Sequence, residues 1–254
     1  MGELEEVAID ACRTAAKRIR SSESQTPVAS KSTATDVVTE ADLAAERIIC
    51  DLLAEATPGA RVLGEEGGNG VLGDGPNNAI EWVVDPLDGT VNFTYGVPIS
   101  AVSVAAIVNG RPAAGAVVDV RLGEVFSAHA GGGARLDERP IGCTAPDRLD
   151  LTLVGTGFSY DANLRNSHGR TIAHLLGKVR DVRVFGSAAL NLCWVAAGRL
   201  DAYVERDIKP WDYAAGSLIA REAHAQVELP CPENSDLVLA AGPAVFEQLR
   251  PLVG

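Results

Sequence analysis

The chain has 254 residues, 46% of them apolar and 22% charged, and a formal net charge of -12. That is enough length for one large domain or two small ones. The acidity argues against general binding to nucleic acid or to anionic membrane surfaces, both of which need basic patches. Five cysteines, odd in number and without a CxxC pair, suit reduced core thiols better than a disulfide framework. The opening MGELEEVAID lacks the basic and apolar regions of a signal peptide, and Glu6 breaks the myristoylation pattern. The longest apolar run, ISAVSVAAIV, is about half of what a membrane-spanning helix needs. These features lead us to expect a cytoplasmic protein with no membrane attachment.

In chain order, Leu4, Val7, Ala8, Ala11, Ala15 and Ile19 recur at helical spacing. The Ser- and Thr-rich stretch SSESQTPVASKSTATD then predicts a mobile loop or hairpin. A second helix follows, with Ala41, Ala44, Ala45, Ile48, Ile49, Leu52 and Leu53 on its inner face. Short strands are predicted around Arg61–Leu63 and Ile80–Val84. SAVSVAAIV, AAGAVVDVR and EVFSAHA follow as an antiparallel meander with NGRP as its clearest turn. After about residue 150 the pattern becomes alternation. LTLVG, VRVF, LDAYVE and DLVLAAG read as strands; Ile172–Val179, SAALNLCWVAAG and WDYAAGSLIAREA read as helices. The chain is expected to form a single domain over residues 1–254, with a change of style near 145–150.

Two familiar motifs fail on context. GNGVLG at residues 68–73 matches GxGxxG, but the following DGPNNA cannot open the helix that a dinucleotide site requires. The four histidines do not pair at ligand spacing, so a zinc site is not expected. Carboxylates are more informative. Glu65 and Glu66 end a short strand beside a glycine loop, where a solvated charge pair is the simpler reading. Asp42, three residues after Thr39, fits a helix capping box. Asp212 could be an ordinary helix cap. DPLDGT resists such readings. Pro86 denies the turn one backbone donor, and Asp85 and Asp88 can converge on one point with the Leu87 carbonyl. Gly89 and Thr90 then offer amides to an anion. A dication beside an anion-binding turn is the arrangement of metal-assisted phosphate chemistry, although a plain turn remains open at this point.

In this order, DVVTEAD, GEE, WVVDPLDGTVNF, FGSAALNLCWVAAGRLDAYVE and WDYAAGSLIAREA resemble the inositol monophosphatase family of Mg²⁺-dependent, lithium-sensitive phosphatases. The resemblance runs from about residue 31 to 227, and DPLDGT with a downstream WDYAAG is specific to it. It implies an α/β fold, a layered αβαβα sandwich of two sheets with covering helices, and a homodimer. It also implies two to three Mg²⁺ ions. Glu65, Asp85 and the Leu87 carbonyl would hold the first, Asp85, Asp88 and Asp212 the second, and Glu65 a weaker third. Thr90, hydrogen-bonded to Asp42, would orient the attacking water together with Glu65. Asp88, Gly89, Thr90 and Asp212 would line the phosphate site. Gly186, Ser187, Ala188 and Glu205 would face the substrate hydroxyls, and Lys31 would sit on a mobile loop near the metals. One departure is EAHAQV, where the family has Glu-Ala-Gly-Gly; His224 is expected to alter the turn there. Arg206, beside Glu205, could reach substrate or form a surface salt bridge.

The implied activity is hydrolysis of an inositol monophosphate, a small phosphorylated polyol, by two-metal-activated water. Fructose 1,6-bisphosphate, histidinol phosphate and a 3′-phosphonucleotide are alternative substrates within the same chemistry. A regulatory or scaffold role toward a protein or ribonucleoprotein partner is the alternative of another class.

Overall fold

The helices predicted at the start of the chain form and pack against each other in the computed structural model, which describes residues 1–21, 26–30, 37–76, 79–231 and 236–254. Helix α1 (Gly2–Arg20) has Glu3 and Glu5 in its first turn and Lys17, Arg18 and Arg20 in its last, matching the helix dipole at both ends. Its small inner stripe, Ala8, Ala11, Cys12, Ala15 and Ala16, is fully buried. Strands β1 (Pro27–Ser30) and β2 (Val37–Thr39) pair antiparallel within the Ser/Thr-rich stretch. The intervening Lys31 lies outside the described residues. Helix α2 (Glu40–Ala56) begins with the expected capping box. Thr39 Oγ1 accepts from Ala41 N at 3.1 Å, and Asp42 Oδ2 accepts from Thr39 N at 2.8 Å.

The first sheet comprises β3 (Arg61–Gly64), β4 (Gly70–Val71), β5 (Ile80–Asp88), β6 (Ala101–Val108), β7 (Arg111–Asp119), β8 (Val125–His129), β9 (Ala134–Leu136) and β10 (Arg139–Pro140). The short helix α3 (Thr90–Thr94) follows β5. The strand order is β10-β9-β8-β7-β6-β5-β3-β4, with β3 parallel to β5 and the meander antiparallel. Asn109 and Gly110 turn β6 into β7 with φ of 52° and 73°, the left-handed pair that a two-residue hairpin requires.

The second half adds β11 (Leu153–Thr156), α4 (Ala162–Leu175), β12 (Asp181–Val184), α5 (Ala188–Ala196), β13 (Ala202–Arg206), α6 (Pro210–Glu222), β14 (Gln226–Glu228), β15 (Leu237–Ala241) and α7 (Pro243–Val253). The strand order is β12-β11-β13-β15-β14. Helix α4 starts well before the predicted Ile172, because Asp161 Oδ1 caps it, accepting from Asn163 N at 2.7 Å and Leu164 N at 3.1 Å. Its early turns are largely exposed and so show no apolar period. Helix α7 was not predicted. Pro243 opens it, and Val245, Leu249 and Val253 are its buried face.

Four apolar clusters define five layers. Helices α1 and α2 cover one face of the large sheet through Ile19, Ile49, Leu53 and Trp82. The other face meets α5 and α6 through Phe126, Leu190, Ala215 and Ile219. The far side of those helices packs on the second sheet through Leu192, Tyr203 and Val238. That sheet's outer face is covered by α4 and α7. This is the expected αβαβα sandwich. Close contact is enforced by small residues: a Cβ on Gly115 would lie 3.2 Å from Ala215. Burying large side chains such as Trp82 and Phe126 stabilises the fold by about 1.5–3 kcal/mol each. Among the described residues no helix is long and apolar enough to cross a membrane.

Candidate active site

Strand β5 is the mount of the site. It does not stop before Asp85, as predicted, but runs to Asp88 with a break in register. Asp85 faces Ser103 and Asp88 faces Ala101, so an extra residue is accommodated at Pro86, which has no N–H to give to the ladder. Leu87 N donates to Asp85 Oδ1 at 2.9 Å, closing the bulge locally. Gly89 follows with φ of 94°, and a Cβ there would sit 3.0 Å from both Gly186 O and Ile99 O. Only glycine meets both demands. This bulge and turn open into a cleft of about 790 Å³, lined also by Glu65, Gly186, Ser187, Ala188, Glu205 and Asp212.

The predicted side chains that line the cleft are brought there by several elements. Glu65 follows β3, and its own N–H donates to Val84 O at 3.2 Å. The loop around it is gripped by Glu46 of α2, whose Oε1 accepts from Glu66 N at 3.0 Å and Oε2 from Gly68 N at 3.1 Å. Sequence reasoning missed Glu46. The available signal was a carboxylate among the apolar residues of the helix's inner side, four residues after Asp42. Thr90 Oγ1 lies 2.9 Å from Asp42 Oδ1 and 2.9 Å from Leu87 O, and donates to this pair of acceptors. Asp42 is fully buried. It therefore serves both readings made for it, as half of the capping box and as the partner of Thr90.

Asp88 sits at the N-terminus of α5. Its Oδ2 accepts from Ser187 Oγ at 2.6 Å and Ala189 N at 2.7 Å, and Oδ1 from Ala188 N at 3.3 Å. Asp212 lies within the first turn of α6 rather than at its cap. Its Oδ2 accepts from Lys209 N at 2.5 Å. Glu205 Oε2 accepts from Tyr203 Oη at 2.6 Å, and a Cβ on Gly157 would collide with the Glu205 carboxylate. Asn92, also unpredicted, ties the two sides together, donating from Nδ2 to Ile99 O at 2.9 Å and Phe185 O at 2.6 Å. Arg206 lines the cleft but pairs with Asp236 and donates to Val253 O, the surface bridge among the two readings. His224 takes φ of 70°. Its N–H bonds Arg221 O and that of Ala225 bonds Ala220 O, so α6 ends in the regular Schellman pattern and the expected altered turn is not found.

The electrostatics are unusual. Asp85 is raised well above the ordinary carboxylate range, by burial first and then by the charges of Glu65, Asp88 and Asp212. Burial pushes Asp88 up to about 6, against its bonds from Ser187 and Ala189. Asp212 is raised well above the ordinary range by burial and then by the charge of Asp88. Burial pushes Glu205 up to about 7. Among the described residues, no lysine or arginine pairs with Asp85, Asp88 or Asp212. Nor do any three His, Cys, Asp or Glu side chains there stand close enough together to hold a metal ion as they are placed; each of these aspartates spends an oxygen on an amide or hydroxyl donor. Their remaining lone pairs, with the adjacent carbonyl of Leu87, are an all-oxygen donor set suited to a hard cation.

The inositol monophosphatase family model matches residues 1–249. The inositol-1-monophosphatase SuhB of Mycobacterium tuberculosis strain H37Rv is 48% identical over 230 residues, covering 87% of this chain and 79% of that protein. The Nus factor SuhB of Salmonella typhimurium strain LT2 is 42% identical over 200 residues, covering 77% of this chain and 72% of its own. Among solved structures, Mycobacterium tuberculosis SuhB superposes with a TM-score of 0.85 at 42% identity, covering 99% of this chain and 95% of its own. The Bartonella henselae extragenic suppressor protein suhB reaches 0.90 at 31% identity, with 98% of each chain covered. An αβαβα sandwich that gathers DPLDGT and WDYAAG at one cleft, and that matches these relatives over nearly its whole length, belongs to the inositol monophosphatase family and is a phosphatase.

Proposed function

We propose that the protein is a cytoplasmic, Mg²⁺-dependent phosphomonoesterase that converts an inositol monophosphate to inositol and phosphate. The observation that carries this is the cluster of Glu65, Asp85, Asp88 and Asp212 around one cleft, its three aspartates lacking any cationic side-chain partner among the described residues. Buried like charges repel unless something positive joins them. Glu65, Asp85 and the Leu87 carbonyl would hold one ion, Asp85, Asp88 and Asp212 a second, and Glu65 a weaker third. When bound, Mg²⁺ supplies Lewis acidity to water and neutralises charge on the phosphate and the leaving oxygen.

The chain's own groups do the positioning. The Thr90 hydroxyl hydrogen is committed to Asp42 and the Leu87 carbonyl, so its oxygen is left to accept from a water in the cleft. Glu65 would orient that water together with Thr90. The amides of Gly89 and Thr90 face the phosphate in this reading. Gly186, Ser187, Ala188 and Glu205 face the polyol hydroxyls, and Tyr203 holds the Glu205 carboxylate in place. We read residues 1–254 as one domain and the active assembly as a homodimer, which light scattering during size-exclusion chromatography tests.

Phosphate release from inositol 1-phosphate, fructose 1,6-bisphosphate, histidinol phosphate and a 3′-phosphonucleotide, each with Mg²⁺ and with EDTA, tests the reading. The expected result is highest kcat/KM on inositol 1-phosphate and none in EDTA. Undiminished rates in EDTA would sink the metal mechanism, and a clear preference for another of the four would reassign the substrate. A second reading is favoured by the 42% identical relative named Nus factor SuhB: a regulatory or scaffold role toward a protein or ribonucleoprotein partner. A cellular phenotype that survives Asp88→Asn would support that role over the enzymatic one.

A further inference from the structure

Among the described residues, five other than glycine adopt positive φ: Asn109, Asp137, Glu138, Asp207 and His224. Of these, only Asp207 lines the cleft. Its φ of 63° is a left-handed conformation that aspartate tolerates better than most side chains. Such outliers persist where surrounding contacts over-determine them, and here they do. Asp207 Oδ2 accepts from Ser159 Oγ at 2.9 Å. Asp207 Oδ1 lies 3.4 Å from Lys209 Nζ. Asp207 N donates to Asp236 O at 3.3 Å. Ser159 Oγ in turn accepts from Asp161 N at 3.1 Å, one residue before α4.

These contacts join two walls of one cleft. Strands β11 and β13 are parallel neighbours, Thr156 beside Val204, so the loops that leave them emerge side by side. The first loop carries Phe158, Ser159 and Tyr160 into the cleft; the second carries Asp207 and Lys209. Lys209 also donates its backbone N–H to Asp212 Oδ2. An unbroken path therefore runs from Ser159 through Asp207 and Lys209 to Asp212.

We propose that Asp207 is a positioning residue. It clasps the β11–α4 loop to the β13–α6 loop and so sets the width of the substrate-facing cleft, without touching the reacting atoms. This rests on the reading that the phosphomonoester occupies that cleft. The effect belongs in substrate binding, because the Ser159–Asp207 bond lies in the cleft wall, whereas Lys209 reaches Asp212 through its backbone N–H and not through the Asp207 side chain.

The test uses Asp207→Gly, Ser159→Ala and Asp207→Asn in the full chain. Glycine keeps the left-handed backbone and removes the clasp. Asparagine keeps both the backbone preference and an acceptor for Ser159. Ser159→Ala breaks the same bond from its other side should Asp207→Gly fold poorly. Asp207→Gly and Ser159→Ala should raise KM for the best phosphomonoester about fivefold, the scale of one ordinary net hydrogen bond. kcat should change less than about twofold, and Asp207→Asn should restore KM to near the wild-type value. Amide exchange across residues 157–164, measured without substrate, should quicken in the first two variants. Unchanged exchange in both would overturn the clasp, and faster exchange with unchanged KM would overturn its role in binding. The exchange measurement needs no substrate, so it decides the clasp even if inositol phosphate proves to be the wrong substrate.

Discussion

Glu5 and Asp85 are both buried carboxylates, 7% and 1% exposed, and their surroundings are opposite. Glu5, in the first turn of α1, receives Ser127 Oγ at 2.7 Å, pairs with His129 Nδ1 at 2.5 Å and has Arg135 Nη1 at 3.6 Å. Each of these three neighbours can donate to the carboxylate. Asp85 has Glu65, Asp88 and Asp212 as its electrostatic neighbours, and burial and charge both work against its ionised form. A buried acid with a complete set of donors is a structural joint, here between α1 and β8. A buried acid surrounded by other acids is tolerated only for what it binds. The same residue class is thus read in two ways by asking what neutralises it.

The largest effect that would break this contrast is on activity. Asp85→Asn should lower kcat/KM on the order of a thousandfold, the loss typical of removing a charge-stabilising group. It should leave the melting temperature in EDTA at or above that of the parent, because a repulsion is removed. A drop in melting temperature, read by calorimetry, would place Asp85 with Glu5 among the structural acids. Next, Mg²⁺ at a hundred times its dissociation constant should stabilise the protein by about 2.7 kcal/mol, seen as a rise in melting temperature that Asp85→Asn abolishes. Glu5→Ala should do the reverse of Asp85→Asn. Unfolding in urea should show a loss of about 1–3 kcal/mol, since Ser127 and His129 lose their partner, while kcat/KM is retained. Equal loss of activity and stability would join the two regions into one network.

The smallest effect is a slope. Asp88 titrates from an ordinary 3.8 up to about 6, and Glu205 from 4.5 up to about 7. Both are raised, so between the ordinary and the folded values the folded chain holds more protons than the unfolded one. Metal-free protein should therefore lose stability as pH climbs from roughly 4 to 7. Asp88→Asn should flatten part of that fall. Melting temperatures in EDTA that rise over the same window would contradict the raised values.

Much of the fold was legible because its signals are local. The helical stripe of α1, the Thr39–Asp42 box, the Asn109–Gly110 turn and the β6–β8 meander each arise from interactions within a few residues. α4 and α7 were harder, since the exposed early turns of one and the short apolar face of the other leave little periodicity. In the site, DPLDGT signalled itself: a proline between two carboxylates and a glycine just after them constrain the backbone wherever they occur. Glu46, Asn92 and Tyr203 did not. Each is ordinary in its own segment and acquires a role only through a partner or loop brought to it by folding.

The sequence by itself therefore determined most of the elements, the aspartate turn and the type of chemistry its oxygen donors can support, because these depend on neighbours along the chain. Tertiary structure alone decided which buried acids are neutralised and which are not. It brought Ser127 and His129 to Glu5 across separations of 122 and 124 residues, and α5's N-terminus to Asp88 across about 100. Whether a carboxylate is a joint or a ligand is a property of the charges around it, and those are assembled only when the layers close.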